Sequence, residues 1–223
     1  MEWLKANGNL STVGYRDMGS YNPTTMQHYL SEALAYFYQR LDAIAISHGK
    51  TPVHWVEAFD ALGRTGRLDR RTVVQICPSA SIGMCGYSKN TIHDVVRAGY
   101  KAIYNDWSTY YLLHLEVTWA QVYETEPLAG ITDPAERALV LGGELCKWGE
   151  NTDASVFDGK VWPRLAAAAE TFWSPLDLTR TALSAEARME WFRCRLLKMG
   201  IGASPLHNQV AGKAPPEPGS CSQ

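Results

Sequence analysis

Four short runs of apolar and β-branched residues, set between helical and irregular segments, constrain the fold of this chain most strongly. They cover residues 51–55, 72–76, 101–105 and 138–141. Each run has a length and composition typical of a buried strand. Strands that alternate with helices or loops predict a parallel α/β architecture, in which functional residues lie on the loops after the carboxyl ends of the strands.

Apolar residues at three- and four-residue steps indicate the helices. The first follows Asn22 and Pro23, a typical helix start, and is predicted over residues 26–48, before Gly49. Its apolar positions are Leu30, Leu34, Phe37, Leu41 and Ile44. Further helices are predicted over residues 91–98, 162–173 and 183–199. Residues 91–98 precede the third strand directly, which indicates a strand–helix–strand unit.

A long irregular stretch, residues 106–132, precedes the fourth strand. Its aromatic residues are Trp107, Tyr110, Tyr111, Trp119 and Tyr123, more than a passive connection requires. Long loops of this kind are usually functional or disordered. Beyond it, Asp133-Pro134 resembles a helix start, and Gly142-Gly143 indicates a backbone that must bend or be approached closely. Residues 144–153 are predicted to be loop.

Four strands cannot close a (β/α)8 barrel, which typically takes about 250 residues. Either the sheet stays open or the chain is a piece of something larger. The tail from residue 211 to 223 is rich in Pro, Gly and Ser, and is expected to be poorly ordered.

The composition is that of a globular chain and excludes several functional classes. With 21 Lys+Arg against 23 Asp+Glu, the net charge of −2 is too balanced for nucleic-acid binding driven by bulk charge. No stretch approaches the roughly 20 apolar residues that span a bilayer, and the first residues lack the order of a signal peptide. We therefore expect no nucleic-acid or membrane partner. Eight Trp and eleven Tyr fit either an aromatic ligand-binding surface or an aromatic core.

The five cysteines form no C-x-x-C pair and no Cys/His spacing typical of zinc. Cys77, Cys85 and His93 are conceivable ligands, but isolated buried thiols are the favoured interpretation. We expect no metal site and no cofactor.

Three blocks in the second half of the chain carry a more specific signal: residues 142–153, 162–174 and 192–206. In this order and spacing they resemble the end of the catalytic barrel of family 20 glycoside hydrolases, the β-N-acetylhexosaminidases. Upstream, residues 55–60, 73–76 and 111–115 resemble blocks at that family's fifth, sixth and seventh strands. The resemblance implies the C-terminal part of a (β/α)8 TIM barrel over residues 1–206, about strands 5 to 8 with terminal helices, and a tail over residues 207–223.

The resemblance assigns roles to five residues. Glu150 would bind the O4 and O6 hydroxyls of a terminal sugar, Trp148 would form a wall, and Trp55 would lie under the acetamido group. Tyr111 would donate to the acetamide oxygen, and Trp107 would line the cleft near the leaving group. The chemistry agrees, because a pyranose packs its C–H faces on indole rings and its hydroxyls bind carboxylates.

Other residues of these blocks are expected to be structural. We assign Glu57 and Glu144 no direct role in binding. Trp162, Trp173 and Trp191 follow helical patterns and are interpreted as packing between the outer helices and the sheet.

The resemblance also places Cys194 and Cys221 at the positions of a disulfide in relatives. That bond would attach the tail to the last helix and implies maturation in an oxidising compartment, in agreement with the lysosomal or secreted location of many relatives. For Cys77, Cys85 and Cys146 no partner is indicated.

Family 20 enzymes retain configuration by substrate-assisted catalysis, in which the substrate's own acetamide attacks the anomeric carbon. An Asp-Glu pair after the fourth strand orients the acetamide and protonates the glycosidic oxygen. No Asp-Glu dipeptide occurs in this sequence, and residues 2–8 resemble the segment that follows the pair. Two further departures are Cys77, where relatives usually carry Trp, and Leu113, where they carry Asp.

We therefore expect a β-N-acetylhexosaminidase that removes terminal N-acetylglucosamine or N-acetylgalactosamine from glycans and glycoconjugates, with the acid pair upstream of this chain. The isolated chain is expected to be inactive. One alternative is a non-catalytic or vestigial sugar-binding half-barrel, and another is a split enzyme completed by a separately encoded half. Whether the protein forms a homodimer is left open.

Overall fold

The computed structural model describes residues 23–77, 90–175, 177–178, 181–207 and 221. The strands there are β1 (Val53–Trp55), β2 (Val73–Ile76), β3 (Lys101–Tyr104) and β4 (Val140–Gly143). The helices are α1 (Pro23–Ser47), α2 (Val56–Ala58), α3 (Ile92–Arg97), α4 (Trp119–Glu124), α5 (Pro134–Arg137), α6 (Phe157–Val161), α7 (Arg164–Trp173) and α8 (Ala182–Lys198). A π-helical turn, Phe59–Gly63, continues α2. None of the helices in this part of the chain is long and apolar enough to cross a membrane.

The four strands form one sheet in the order β1-β2-β3-β4. β1 and β2 are parallel, with Val53 opposite Val73 and Trp55 opposite Gln75. Burial of the valines and the isoleucine of β2 is typical of a parallel sheet covered on both faces. The predicted α/β class and the four strands are confirmed, with β4 beginning two residues later than expected and including both glycines.

Gly143 in β4 shows why a glycine is required there. A Cβ at this position would overlap the ring of Phe172 and lie 3.0 Å from the carbonyl oxygen of Tyr104. The neighbouring Gly142 has a φ of 133°, which side chains rarely adopt. The expected close approach at this glycine pair is confirmed.

The chain divides into two compact units. Of the described residues, 23–76, 90–103 and 132–141 belong to unit 1, and residue 77, 104–131 and those from 142 onward belong to unit 2. In unit 1, Phe59 and Tyr100 are buried and pack edge to face, with ring centroids 5.7 Å apart. The core of unit 2 lies between α4 and α7, where Trp119 and Tyr123 pack near an alanine face, Ala166–Ala168.

The apolar face expected for α1 does not face the core. Leu34, Phe37, Leu41 and Ile44, here called the α1 stripe, are between 38% and 56% exposed. Asp42 is buried instead: its Oδ1 lies 2.6 Å from Nε2 of His54, and its Oδ2 accepts from Oγ1 of Thr72 at 3.0 Å. A buried carboxylate needs such partners, so α1 turns Asp42 inward and leaves the adjacent stripe at the surface.

The stretch 106–132 was expected to be irregular, but it contains helix α4. Thr118 caps this helix, because its hydroxyl accepts from the backbone N–H of Gln121 and the Gln121 side chain accepts from the Thr118 N–H. This reciprocal cap is a sequence signal for a helix start.

The packing role expected for three tryptophans is wrong for two of them. Trp162 is partly buried and its ring centroid lies 6.2 Å from that of Phe192. Trp173 and Trp191 are 89% and 63% exposed. For Trp173 the reason is that α7 packs through its small alanine face, Ala166–Ala168, which allows close approach without the large ring.

The cysteines are paired more extensively than the sequence indicated. Cys194 and Cys221 form the disulfide implied by the resemblance, with Cα atoms 5.3 Å apart. Cys77 is also disulfide-bonded, which corrects its interpretation as an isolated thiol and as a metal ligand. Among the described residues only Cys146 is a free thiol. Several predictions concern parts of the chain outside the described residues. These parts are residues 1–22, the Leu30 side chain, Cys85 and the tail beyond residue 207 except Cys221.

Candidate functional site

The candidate site in unit 2 is built on two segments that extend from β3 and β4. An isolated parallel bridge joins Tyr111 and Cys146. Across it the N–H of Leu112 donates to the carbonyl of Cys146 at 2.8 Å, and the N–H of Cys146 donates to the carbonyl of Tyr110 at 3.0 Å. The two loops that follow the strands are therefore aligned residue by residue.

This alignment brings Tyr111 to Glu150. The Tyr111 hydroxyl donates a hydrogen bond to Oε1 of Glu150. Burial and this hydrogen bond raise the pKa of Tyr111 to about 12. The same hydrogen bond, together with a backbone N–H, lowers the pKa of Glu150 below its usual 4.5. At neutral pH the pair thus consists of one protonated donor and one ionised acceptor.

Trp107 lies beside Tyr111, with ring centroids 6.4 Å apart. His114, which the sequence analysis did not identify, contacts both rings; its ring centroid is 4.2 Å from that of Trp107 and 5.7 Å from that of Tyr111. His114 Nδ1 is 3.3 Å from Oε1 of Glu116, and its buried Nε2 has no hydrogen-bond partner among the described residues. An aromatic, polar surface therefore surrounds the Tyr111 phenol.

Trp148, two residues before Glu150, is 58% exposed. It borders a shallow pocket of about 330 Å³ that also involves Asp153 and Phe157. The Lys147 ammonium donates to the Trp148 carbonyl at 2.9 Å and to Oδ1 of Asn151 at 3.1 Å. These hydrogen bonds hold the loop in place, so its exposed indole can pack against the face of a flat ligand.

A polar cluster lies under the loops. Nδ2 of Asn105 donates to Oε1 of Glu144 at 3.1 Å and contacts Sγ of Cys146 at 2.7 Å. Asn105 is 1% exposed, and its Oδ1 has no partner in the described part of the chain. Glu144 thus contacts a buried amide. Leu113 is half-buried.

Trp55 belongs to unit 1, where it is half-buried at the carboxyl end of β1 and begins α2. Two residues on, burial and repulsion from Asp60 raise the pKa of Glu57. The buried Oε2 of Glu57 has no hydrogen-bond partner among the described residues. No pattern in the sequence around Trp55 and Glu57 predicted that the Glu57 carboxylate is buried.

One group of potential metal ligands occurs in the described residues, Glu190 with Cys194 and Cys221. The two sulfurs are joined to each other in the disulfide, so they are not available as thiolate ligands.

Comparisons with known proteins relate this chain to one enzyme family. The family model "Glycosyl hydrolase family 20, catalytic domain" matches residues 15–176. Beta-hexosaminidase 1 of Arabidopsis thaliana is 41% identical over 199 residues, which cover 85% of this chain and 34% of the relative. Beta-hexosaminidase subunit alpha of Rattus norvegicus is 34% identical, over 77% of this chain and 31% of the relative. The chain spans about a third of the length of these curated relatives.

Among solved structures, the chain is similar to the chitobiase of Flavobacterium johnsoniae, with a TM-score of 0.65 and 27% identity. This match covers 81% of the chain and 27% of the chitobiase. A glycoside hydrolase family 20 beta-N-acetylglucosaminidase matches with a TM-score of 0.63 and 29% identity, over 78% of this chain and 38% of the other.

Proposed function

This chain belongs to glycosyl hydrolase family 20, and on that premise we propose that it supplies one wall of the sugar-binding pocket of a β-N-acetylhexosaminidase. The substrates are glycans or glycoconjugates that end in N-acetylglucosamine or N-acetylgalactosamine. The observation that carries the proposal is the pairing of the Tyr111 phenol with the Glu150 carboxylate beside Trp107. Aromatic faces and a charged acceptor are the groups that recognise a hydroxylated ring.

Each group has a defined part in the proposed pocket. The protonated phenol of Tyr111 donates to the acetamide oxygen and orients it for attack on the anomeric carbon. The ionised Glu150 accepts from the O4 and O6 hydroxyls, and Trp148 packs on a face of the sugar ring. Trp107 lines the cleft near the leaving group. The bond between Tyr111 and Glu150 must open when a sugar occupies both groups.

The general acid of the reaction lies outside these residues in this proposal. No Asp-Glu dipeptide occurs in the sequence. We assign residues 1–206 to the C-terminal part of the (β/α)8 domain, about strands 5 to 8, and residues 207–223 to a tail attached through Cys221. The exposed α1 stripe supports this assignment, since large adjacent apolar side chains are typically covered by further protein. The edge position of β1 in the sheet supports it as well.

The proposal extends to the compartment and the assembly. A disulfide between Cys194 and Cys221 favours an oxidising environment, in agreement with a lysosomal or secreted protein. The mass of the native protein tests the assignment to a larger enzyme. An antibody against residues 148–162, used without reductant, is expected to detect a species clearly larger than 24.8 kDa.

Sugar binding and hydrolysis by the 223-residue chain test the pocket directly. We expect measurable binding of N-acetylglucosamine by calorimetry, and no release of nitrophenol from a nitrophenyl N-acetyl-β-glucosaminide. Tyr111→Phe and Glu150→Gln are expected to weaken binding. Tyr123→Phe is the matched control, because Tyr123 also donates to a glutamate, Glu170, at 2.9 Å. Binding unaffected by the first two variants, or turnover by the isolated chain, contradicts the proposal.

A second candidate function is a non-catalytic sugar-binding protein with the same half-barrel. The absence of the Asp-Glu pair from the sequence favours it. It predicts the same binding, but a native species of about 24.8 kDa. The mass of the native protein therefore distinguishes the two candidate functions, whereas sugar binding by the isolated chain does not.

A further inference from the structure

Arg164, the first residue of α7, is 5% exposed. One of its terminal nitrogens donates to the His114 carbonyl at 2.6 Å. The other donates to the Leu112 carbonyl at 2.9 Å and to the Lys160 carbonyl. Burial lowers the pKa of this guanidinium, and a buried charge is costly. Contribution to packing alone does not explain a charged group here.

The first two carbonyls belong to the segment that carries Tyr111. Leu112 is also held by its N–H, which donates to the Cys146 carbonyl at 2.8 Å. The backbone after Tyr111 is thus held at the Leu112 N–H by Cys146 and at the Leu112 and His114 carbonyls by Arg164. These hydrogen bonds leave the phenol little freedom to move with its backbone.

The third carbonyl connects Arg164 to the loop that carries Glu150. The Lys160 ammonium donates to the carbonyl of Asn151 and lies 3.2 Å from its Oδ1. Asn151 directly follows Glu150 in the chain. One guanidinium therefore holds the Tyr111 segment directly and the Glu150 loop through one lysine.

We propose that Arg164 is a positioning residue, which sets the Tyr111 phenol against the Glu150 carboxylate by holding the carbonyls of Leu112, His114 and Lys160. Its importance for a sugar ligand rests on the proposed function, but its effect on the Tyr111–Glu150 pair does not. The planar fork of arginine is essential to this role, since a lysine has a compact ammonium on a flexible stem.

The pKa of the Glu150 carboxyl, measured by carbon-13 NMR of the full chain, reports the pair without any ligand. Glu150→Gln assigns its resonance, and Tyr111→Phe gives the value without the phenol. In Arg164→Lys we expect the Glu150 pKa to rise toward that of Tyr111→Phe. Arg188→Lys is the matched control, because Arg188 bonds Glu170 at 2.6 Å, and we expect no change in the Glu150 pKa.

A merely structural arginine predicts a different result. Arg164→Lys would then lower the free energy of unfolding and leave the Glu150 pKa unchanged, and this outcome would overturn the proposal. If Arg164→Lys does not fold, Lys160→Met interrupts the connection to Asn151 from a less buried side chain. We expect it to raise the Glu150 pKa by a smaller amount, and by more in the otherwise unchanged chain than in the Tyr111→Phe background, where only the loss of the lysine charge acts. An equal rise in both backgrounds would equally contradict the proposal.

Calorimetry with N-acetylglucosamine gives the second measurement. We expect the Kd to rise about tenfold in Arg164→Lys, which corresponds to about 1.4 kcal/mol, because a displaced Tyr111 phenol no longer meets the sugar in the position that Glu150 requires. A chain that binds no sugar at all contradicts the proposed function, while the Glu150 titration still decides the role of Arg164. Intact binding in Arg164→Lys contradicts the role of Arg164 and leaves the proposed function standing.

Discussion

The phenol of Tyr111 donates a hydrogen bond to the carboxylate of Glu150, although the two residues are 39 positions apart in the chain. The two groups satisfy each other, and each keeps the protonation state that the proposed sugar recognition requires. A ligand that uses both groups must replace this bond with hydrogen bonds of its own. The predictions below concern this pair and the scaffold beneath it.

Loss of either partner is expected to weaken N-acetylglucosamine binding. A hydrogen bond to a charged group contributes about 1.5–3 kcal/mol, so Glu150→Gln should raise the Kd by about 10- to 150-fold. Because Glu150 is exposed, the free energy of unfolding should change little. Calorimetry and denaturant unfolding measure the two effects separately. A large loss of stability in Glu150→Gln would show that the residue is structural.

Sugar affinity is expected to depend on the ionisation of Glu150. Its pKa in the folded chain lies below the usual 4.5, so affinity should be constant near neutral pH and should begin to fall at a lower pH than for an ordinary glutamate. Any stability from the pair follows the same sign: it is present above the usual pKa and lost as pH falls through the folded one. At the alkaline end the phenol remains a donor until near its pKa of about 12.

The matched variant for this pH dependence is Tyr111→Phe. Without the phenol the Glu150 pKa should rise, and the decline in residual affinity should begin at a higher pH. Affinity measured at intervals between pH 3 and 7 gives both curves. Two curves of the same midpoint would show that the phenol does not stabilise the ionised carboxyl.

Gly143→Ala is expected to destabilise the fold strongly. The new Cβ would overlap the Phe172 ring and approach the Tyr104 carbonyl, and overpacking of this kind typically costs about 1–3 kcal/mol. Gly149→Ala is the control, since a Cβ at Gly149 meets no atom within 4 Å. Denaturant unfolding of the two variants makes the comparison. Equal stabilities would mean that Phe172 has room to move aside.

Removal of the disulfide between Cys194 and Cys221 is expected to lower the free energy of unfolding. For a sequence separation of 27 residues, the chain-entropy model gives about 3–4 kcal/mol. Cys194→Ala alone and the double variant with Cys221→Ala should lose similar amounts, because either removes the same cross-link. If the double variant loses clearly more free energy of unfolding than Cys194→Ala alone in chemical denaturation, the Cys221 side chain also contributes through packing.

The sequence alone determined the four strands and the longer helices of this protein. Runs of β-branched residues identify the four strands, and the glycine pair predicts the close approach realised between Gly143 and Phe172. These signals are local, since strand propensity and the lack of a Cβ act at the residue itself. The disulfide between Cys194 and Cys221 followed from the resemblance to relatives rather than from any local pattern.

Only the tertiary structure decided which faces are covered and which distant groups meet. Periodicity predicts that α1 is amphipathic, but the buried partners of Asp42 decide which side faces inward. In the same way, the alanine face of α7 decides that Trp173 is exposed. Hydrogen bonds such as Arg164 to Leu112, 52 residues apart, depend on how the segments beyond the strands align. No local propensity specifies that alignment, because it results from the packing of the whole unit.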